Sequence, residues 1–323
     1  MNFENEQGLD FDDVLIKPIH SSLNSRNDVD ISVKLSGALT LSFPVIGSPM
    51  RGIVDADFAS ALSELGGIAI LPRFFNDMSE WESELNKIAY VSNFGLSMGL
   101  KDDFQWLLGY IPKILCVDVA NGYTKALLNT CATIKNYIIK HKLPTLLMSG
   151  NVATLEGIID LENAGVDLVR VGIGCGTLCS TRNVTGIGVP QITSINDCSA
   201  CSTEYIVADG GIKNSGDAVK AFVAGAHVIM IGSLFGKTFE SSSDGTIYGM
   251  ASKKLQEEMD FTQIKSIEGI EKNISKTMFL KQFVDEFSWG IKSAATYLNA
   301  RNITEIKEHG SFILAGKNSI KDL

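Results

Sequence analysis

The stretch Asp167-Leu-Val-Arg-Val-Gly-Ile-Gly-Cys-Gly-Thr-Leu-Cys-Ser-Thr-Arg-Asn-Val-Thr-Gly-Ile-Gly-Val-Pro-Gln191 decides how this chain is read. Its opening residues, 167–173, form an apolar run that suits a buried strand, and the glycines and cysteines begin where that strand ends. Parallel α/β folds keep their chemistry at such strand ends, where loops on a rigid scaffold carry function. Cys179 is the first candidate for a nucleophile.

Outward from this segment, short apolar runs recur at 43–47, 67–71, 91–98, 114–118, 145–148, 168–173, 205–209 and 227–231. Between them lie stretches such as 57–65, 155–163 and 216–224, with apolar residues three and four apart and a glycine (Gly66, Gly165, Gly225) just beyond the end. Strand and helix in alternation predict repeated βα units, and eight such units close a barrel. Polar or glycine-rich groups gather where the runs end: Ser48 with Met50, Arg73, Asp118 with Asn121, Asn151, Gly174 to Cys179, Asp209-Gly-Gly211 and Gly232-Ser233. One rim of a barrel would hold them all. The expected fold is therefore α/β, a single (β/α)8 TIM-barrel domain over 1–323, with 1–42 as an N-terminal lead-in and 248–272 as a charged flap after the eighth strand.

Bulk properties narrow the partners. The net charge of −9 and pI near 5.0, without a cluster of Lys and Arg, argue against a nucleic-acid surface. No apolar run approaches the roughly 18 residues of a membrane span, and the polar, acidic N-terminus has no leader pattern, so a soluble, cytoplasmic protein with a small-molecule ligand is expected. Six cysteines are too sparse for a disulfide scaffold in a chain of 323 residues. Cys198-Ser-Ala-Cys201 has metal or redox spacing but no second pair, which favours free thiols. His20, His141 and His309 lie away from the strand ends and His227 opens a strand, so a Cys/His pair has no support.

The glycines after the seventh and eighth runs (Gly210, Gly211, Gly232) with Ser233 predict a phosphate site built on backbone N–H groups, tight turns being the alternative. Thr181, two residues beyond Cys179, can relay a proton from it. Equally, Cys175 and Cys179 can be two small buried hydrophobes. In the flap, Glu268-Gly269 could bring a carboxyl group to the mouth of the site or belong to a solvated loop.

At this point the residues resemble one family over nearly the whole chain, the inosine-5′-monophosphate (IMP) dehydrogenases and guanosine-5′-monophosphate (GMP) reductases. Gly172 to Arg182 with Thr185-Gly-Ile-Gly-Val-Pro-Gln191 is similar to the family's catalytic loop, and Ala208 to Ile212, Ser215-Gly-Asp217, Met230 to Ser233 and Tyr248-Gly-Met250 to its phosphate and purine site. The resemblance implies that Cys179 attacks purine C2 to form a thioimidate, with Thr181 moving the proton. It implies substrate contacts from Ser48, Met50, Thr177, Asp209, Gly210, Gly211, Gly232, Ser233, Tyr248, Gly249, Met250 and Gly269. It places a nicotinamide nucleotide against Ser25, Arg26, Arg73, Asp118, Val119, Ala120, Asn151, Ile173 and Gly174, and potassium on the carbonyls of Gly174, Gly176 and Cys179. A homotetramer is implied too.

The two activities of the family share the thioimidate and then part. Dehydrogenases hydrolyse it with an Arg-Tyr pair on the flap, whereas 251–267 holds neither residue. The short flap with Glu268-Gly269, the segments Leu23 to Val29 and Asp118 to Tyr123, Thr296-Tyr297 and the lack of a regulatory insertion resemble the reductases. Val184 to Pro190, Ser215-Gly-Asp217 and Gly232 to Phe235 resemble the dehydrogenases. Arg73 stands where many members carry Lys, Arg51 where many carry Asp, and Ser180 where Thr is common. The reading implied is NADPH-dependent reduction of GMP to IMP and ammonia, with Cys179, Thr181 and Glu268 catalytic. The alternatives are oxidation of IMP to XMP with NAD, a barrel that binds purine nucleotide without turnover, and a flavin-dependent barrel.

Overall fold

A computed structural model describes residues 7–36, 39–75, 77–200, 202, 204–259 and 267–316. In chain order the strands are β1 (Val14–Ile16), β2 (Val33–Ser36), β3 (Leu39–Leu41), β4 (Val45–Gly47), β5 (Ile68–Leu71), β6 (Gly95–Met98), β7 (Ile114–Asp118), β8 (Leu146–Val152), β9 (Leu168–Val171), β10 (Tyr205–Asp209), β11 (Val228–Ile231), β12 (Thr246–Tyr248), β13 (Glu271–Asn273) and β14 (Phe312–Leu314). The helices are α1 (Ala56–Glu64), α2 (Met78–Ile88), α3 (Phe104–Leu108), α4 (Lys125–His141), α5 (Leu155–Asn163), α6 (Thr181–Thr185), α7 (Gln191–Ser199), α8 (Ser215–Ala224), α9 (Lys253–Glu258), α10 (Leu280–Tyr297) and α11 (Ile303–His309).

Strands β4 to β11 pair in parallel and close on themselves through β11 and β4, giving the expected (β/α)8 barrel. Each of the eight apolar runs overlaps one barrel strand. They read as continuous apolar runs because both faces are buried. Ile46, Ile68, Ile70, Ile114, Met148, Leu168, Val207 and Val228 fill the interior, and the alternate residues pack outward against the helices. The third strand is shorter than its run, since the backbone bends within 91–94 and pairing starts at Gly95. The fifth is longer, and its last residues, Gly150 to Val152, carry Asn151 onto the rim. Helix α8 stops at Gly225, whose φ of 119° is open to glycine and strained for other residues.

The lead-in holds more structure than its turn residues suggest. Strands β2 and β3 form an antiparallel hairpin whose Leu35, Leu39 and Leu41 join the interior cluster. Because β3 runs almost directly into β4, this hairpin plugs the barrel at the N-terminal end of its strands. Strand β1 pairs antiparallel with β14, so the two ends of the chain are tied together. The flap leaves the barrel along β12 and returns along β13, antiparallel to it, with α9 between them; 260–266 lie outside the described residues.

His227 is a packing residue, as its place at a strand start suggests. Its Nδ1 accepts from the Ile206 N–H at 3.1 Å, and burial lowers its pKa to about 4, so the ring is neutral. Cys198 is buried, with its thiol near the Thr154 carbonyl, while Cys201 lies outside the described residues. Among the described residues no helix is long and apolar enough to cross a membrane.

Ile46 sits fully buried in the interior layer between β11 and β5. Ile46→Ala is expected to lower the unfolding free energy by about 2–5 kcal/mol, the usual cost of an unfilled aliphatic cavity, as read from urea denaturation.

Candidate active site

The ends of the barrel strands surround a cavity of about 330 Å³. Ser48 and Met50 reach it from the loop after β4, Arg73 and Phe74 from that after β5, and Asp118 to Ala120 from the end of β7. Asn151 and the loop after β9, with Ile173, Gly174, Gly176, Thr177, Cys179 and Thr181, form a second side. Asp209 to Ile212, Gly232, Ser233 and the flap residues Gly249 to Ala251 with Glu268 complete it. Four expected site residues do not line it. Tyr248 lies behind the wall, and Gly269 is engaged in backbone pairing. Ser25 and Arg26 begin a single turn of 3-10 helix packed on α10, so this chain's own cavity does not include them.

The nucleophile candidate heads a chain of hydrogen bonds. The Cys179 thiol donates to Thr181 Oγ1 at 3.1 Å, and that hydroxyl donates to Glu268 Oε2 at 2.9 Å. Glu268 is 87 residues from Thr181 and reaches it through the main chain. The Ser180 N–H donates to the Glu268 carbonyl at 2.8 Å and the Ile270 N–H to the Leu178 carbonyl at 3.0 Å. On the other side the Glu268 N–H meets the Ala251 carbonyl at 3.1 Å, and Gly249 N–H the Ile270 carbonyl at 3.1 Å. Gly269 therefore forms bridges with both Cys179 and Ser252, as the middle rung of a short irregular sheet. Strand-like pairing leaves no freedom of register, so the carboxylate is held beside the threonine before any ligand arrives.

A guanidinium at the barrel mouth organises the facing wall. Arg170, 6% exposed on β9, donates through Nη1 to Asp118 Oδ1 at 2.6 Å and through Nη2 and Nε to Asp209 Oδ2 at 2.8 and 3.1 Å. Asn151 Nδ2 adds a bond to the same Asp209 oxygen at 2.8 Å. Burial opposes the charge of Arg170, but Asp209 and Asp118 outweigh it and keep the guanidinium protonated. Breaking such a buried pair costs on the order of 3–5 kcal/mol, because the remaining charges stay uncompensated. The apolar run 167–173 hides this role, and its one signal is that a lone Arg inside such a run needs a buried ion-pair partner.

Asp10 of the lead-in is another functional residue that the sequence left unmarked. It accepts from the Gln191 N–H at 2.6 Å and from Arg182 Nη1 at 2.8 Å, while Arg182 Nη2 donates to the Val189 carbonyl at 2.9 Å. These bonds close the long loop between β9 and α7 at its base. The loops after β9 and β10 also touch. A Cβ on Gly210, where φ is 101°, would lie 2.9 Å from Cys175 Sγ and 3.1 Å from Gly176 N, so only glycine lets the two backbones pass this closely. Helix α8 follows, its N-cap Asn214 accepting from the Asp217 N–H at 2.9 Å. Arg73 Nε is buried without a hydrogen-bond partner among the described residues, and the guanidinium stacks on Phe74 with 3.9 Å between its carbon and the ring centre. A cationic side chain so placed on a cavity wall fits a polar or anionic ligand.

Comparison with known proteins gives the family of the chain. A sequence model of the IMP dehydrogenase / GMP reductase domain matches residues 8–322. The chain is similar to a GMP reductase of Onchocerca volvulus, 31% identical over 96% of this chain and 92% of that one. It is likewise 31% identical to a GMP reductase of Bacillus subtilis over 98% of both chains, and 31% identical to one of Caenorhabditis elegans over 96% of this chain and 92% of that one. The chain belongs to the IMP dehydrogenase / GMP reductase family.

Within this member of the family the cysteines separate by environment. Burial pushes the Cys116 thiol to about 12, Cys131 to about 11, Cys198 to about 12, and Cys175 well above the ordinary range. Cys179, half-buried, lines the cavity. Iodoacetamide at pH 8 is expected to modify Cys179 ahead of the other described cysteines, as peptide mass mapping would read; equal labelling of Cys175 would contradict the assigned environments.

Proposed function

We propose that this protein is a GMP reductase, converting GMP and NADPH, with two protons, into IMP, NADP⁺ and ammonium. The observation that carries this reading is the run of hydrogen bonds from Cys179 through Thr181 to Glu268, supported by the family and by curated relatives that bear that name. Cys179 Sγ forms a bond to purine C2 as its proton passes to Thr181 Oγ1 and on towards Glu268. The same pair delivers a proton to the departing exocyclic amine, so ammonia leaves and a thioimidate joins Sγ to C2. NADPH, when bound, would supply a hydride for C2; Cys179 Sγ would then take back the C–S electron pair as the thiolate and recover its proton from the Thr181–Glu268 pair.

The remaining assignments follow from the cavity. Asp209 uses Oδ2 for Arg170 and Asn151, which leaves Oδ1 for the ribose hydroxyls. Gly210, Gly211, Gly232 and Ser233 would bind the phosphate; Ser48, Met50, Thr177, Gly249 and Met250 would surround the nucleoside, with Tyr248 and Gly269 in support. Arg73, Asp118, Val119, Ala120, Asn151, Ile173 and Gly174 would hold the nicotinamide nucleotide, and the unpartnered Arg73 Nε and polar Asp118–Arg170–Asn151 wall fit such a group. Ser25 and Arg26 would meet it only from another subunit of the homotetramer that the family resemblance implies. The carbonyls of Gly174, Gly176 and Cys179 are uncharged oxygen donors of the type that suits potassium. A cytoplasmic location agrees with a mononucleotide substrate.

Purified protein given GMP with NADPH is expected to lose absorbance at the reduced-nicotinamide band, and to gain none when given IMP with NAD. The opposite pattern would make it a dehydrogenase. Cys179→Ala should abolish turnover, and Thr181→Ala or Glu268→Gln should lower kcat by roughly 10²–10⁴-fold, the usual worth of a positioned acid or base.

A further inference from the structure

Arg51 directly follows Met50, yet it faces a different space. Behind the wall of the active-site cavity lies a second cavity of about 360 Å³, whose lining includes Arg51, Phe74, Glu80, Tyr248, Lys254 and Glu258. Phe74 borders both cavities. In the second one Arg51 Nη1 donates to the Phe74 carbonyl at 2.8 Å and lies 3.7 Å from Glu80 on α2. Its Nε is 3.4 Å from Glu258 Oε2 on α9, the oxygen that also accepts from the Tyr248 hydroxyl at 2.8 Å. One guanidinium thus meets the loop that carries Arg73, the helix behind that loop, and the flap that carries Gly249, Met250 and Glu268.

The flap needs such an anchor. Helix α9 has six residues, too few to be stable alone, and buries only Leu255 and Gln256. Its last turn carries Glu257 and Glu258 at the end where the helix dipole disfavours negative charge. Lys253 meets Glu257 at 2.9 Å, and the charge of Glu258 is met by Arg51. Without that cation Glu258 would face Glu80 across the second cavity, together with Glu84, Asp55 and Asp244 around it, and among the described residues only Lys254, which lies over the Tyr248 ring, would remain as a positive charge on its lining. The carbonyl of Ala251 and the backbone of Ser252, which pin Glu268 and Gly269, immediately precede α9.

We propose that Arg51 is a positioning residue whose bonds to Glu258 and Phe74 latch the flap and thereby hold Glu268 at hydrogen-bond distance from Thr181. The phosphate loops after β10 and β11 belong to the barrel and do not depend on this latch. Its loss should therefore weaken the proton relay more than nucleotide binding, because the flap supplies Gly249 and Met250 but the barrel loops supply most of the proposed nucleotide contacts. The effect on turnover rests on the GMP reductase reading; the effect on Cys179 accessibility does not.

The test compares Arg51→Met, Arg51→Lys, Glu258→Gln and the double variant Arg51→Met/Glu258→Gln. Arg51→Met is expected to lower kcat by about ten- to a hundredfold, the cost of an ångström-scale misplacement, with KM for GMP changed by less than about threefold. Glu258→Gln should act in the same direction, the double variant should be no worse than Arg51→Met, and Arg51→Lys should recover part of kcat. Iodoacetamide should modify Cys179 faster in nucleotide-free Arg51→Met than in the parent protein. Should Arg51→Met fail to fold, Glu258→Gln must show the same kcat loss and faster alkylation. Unchanged kcat and alkylation in the folded variants, multiplying effects in the double variant, or a loss confined to KM would each overturn the latch. Faster alkylation in a protein without GMP turnover would uphold it while removing the GMP reading.

Discussion

The arrangement of the barrel mouth depends on one buried guanidinium. Arg170 stands at the end of an apolar interior, where a charge is tolerated only if it is paired, and Asp118 and Asp209 come from β7 and β10, on either side of the sheet segment that holds it. That requirement fixes the rotamers of both carboxylates and, through Asp209, of Asn151. The wall facing Cys179 is therefore preorganised by electrostatics, and each carboxylate keeps part of its hydrogen-bonding capacity for a ligand.

The opposite wall is organised by backbone pairing. Gly269 lies between the loop of Cys179 and the segment around Ser252, and its neighbour Glu268 is carried to Thr181 by this pairing. A glutamate on a charged flap would ordinarily be solvated and mobile. Here peptide groups on both sides accept or donate to the segment, so the carboxylate has a defined place. Arg51 extends the same logic outward, since it balances a charge at the unfavourable end of a short helix.

Much of this was legible in advance, for reasons that differ by element. The eight barrel strands show in the sequence because burial on both faces demands continuous apolar runs, and α1 and α5 show because one buried stripe imposes helical spacing. Cys179 and Thr181 are visible because they are near neighbours in a loop too rich in glycine for a core. The β2/β3 hairpin and the pairing of β1 with β14 were hidden: they are short, and β1 finds its partner at the other end of the chain. Asp10 and Arg170 were hidden because their meaning lies in partners far along the sequence.

By itself, then, the sequence determined the order of βα units, the apolar interior, the glycine-lined strand ends and the identity of the nucleophile candidate. These follow from local periodicity and from residue chemistry, which need no knowledge of what folds against what. Only the tertiary structure decided how Glu268, which the family resemblance already sets with Cys179 and Thr181, reaches the threonine, that Arg170 is a buried ion-pair centre, and that Ser25 and Arg26 stand away from this chain's cavity. Those facts depend on contacts between residues distant in sequence, and closing the barrel is what brings them within a few ångströms of one another.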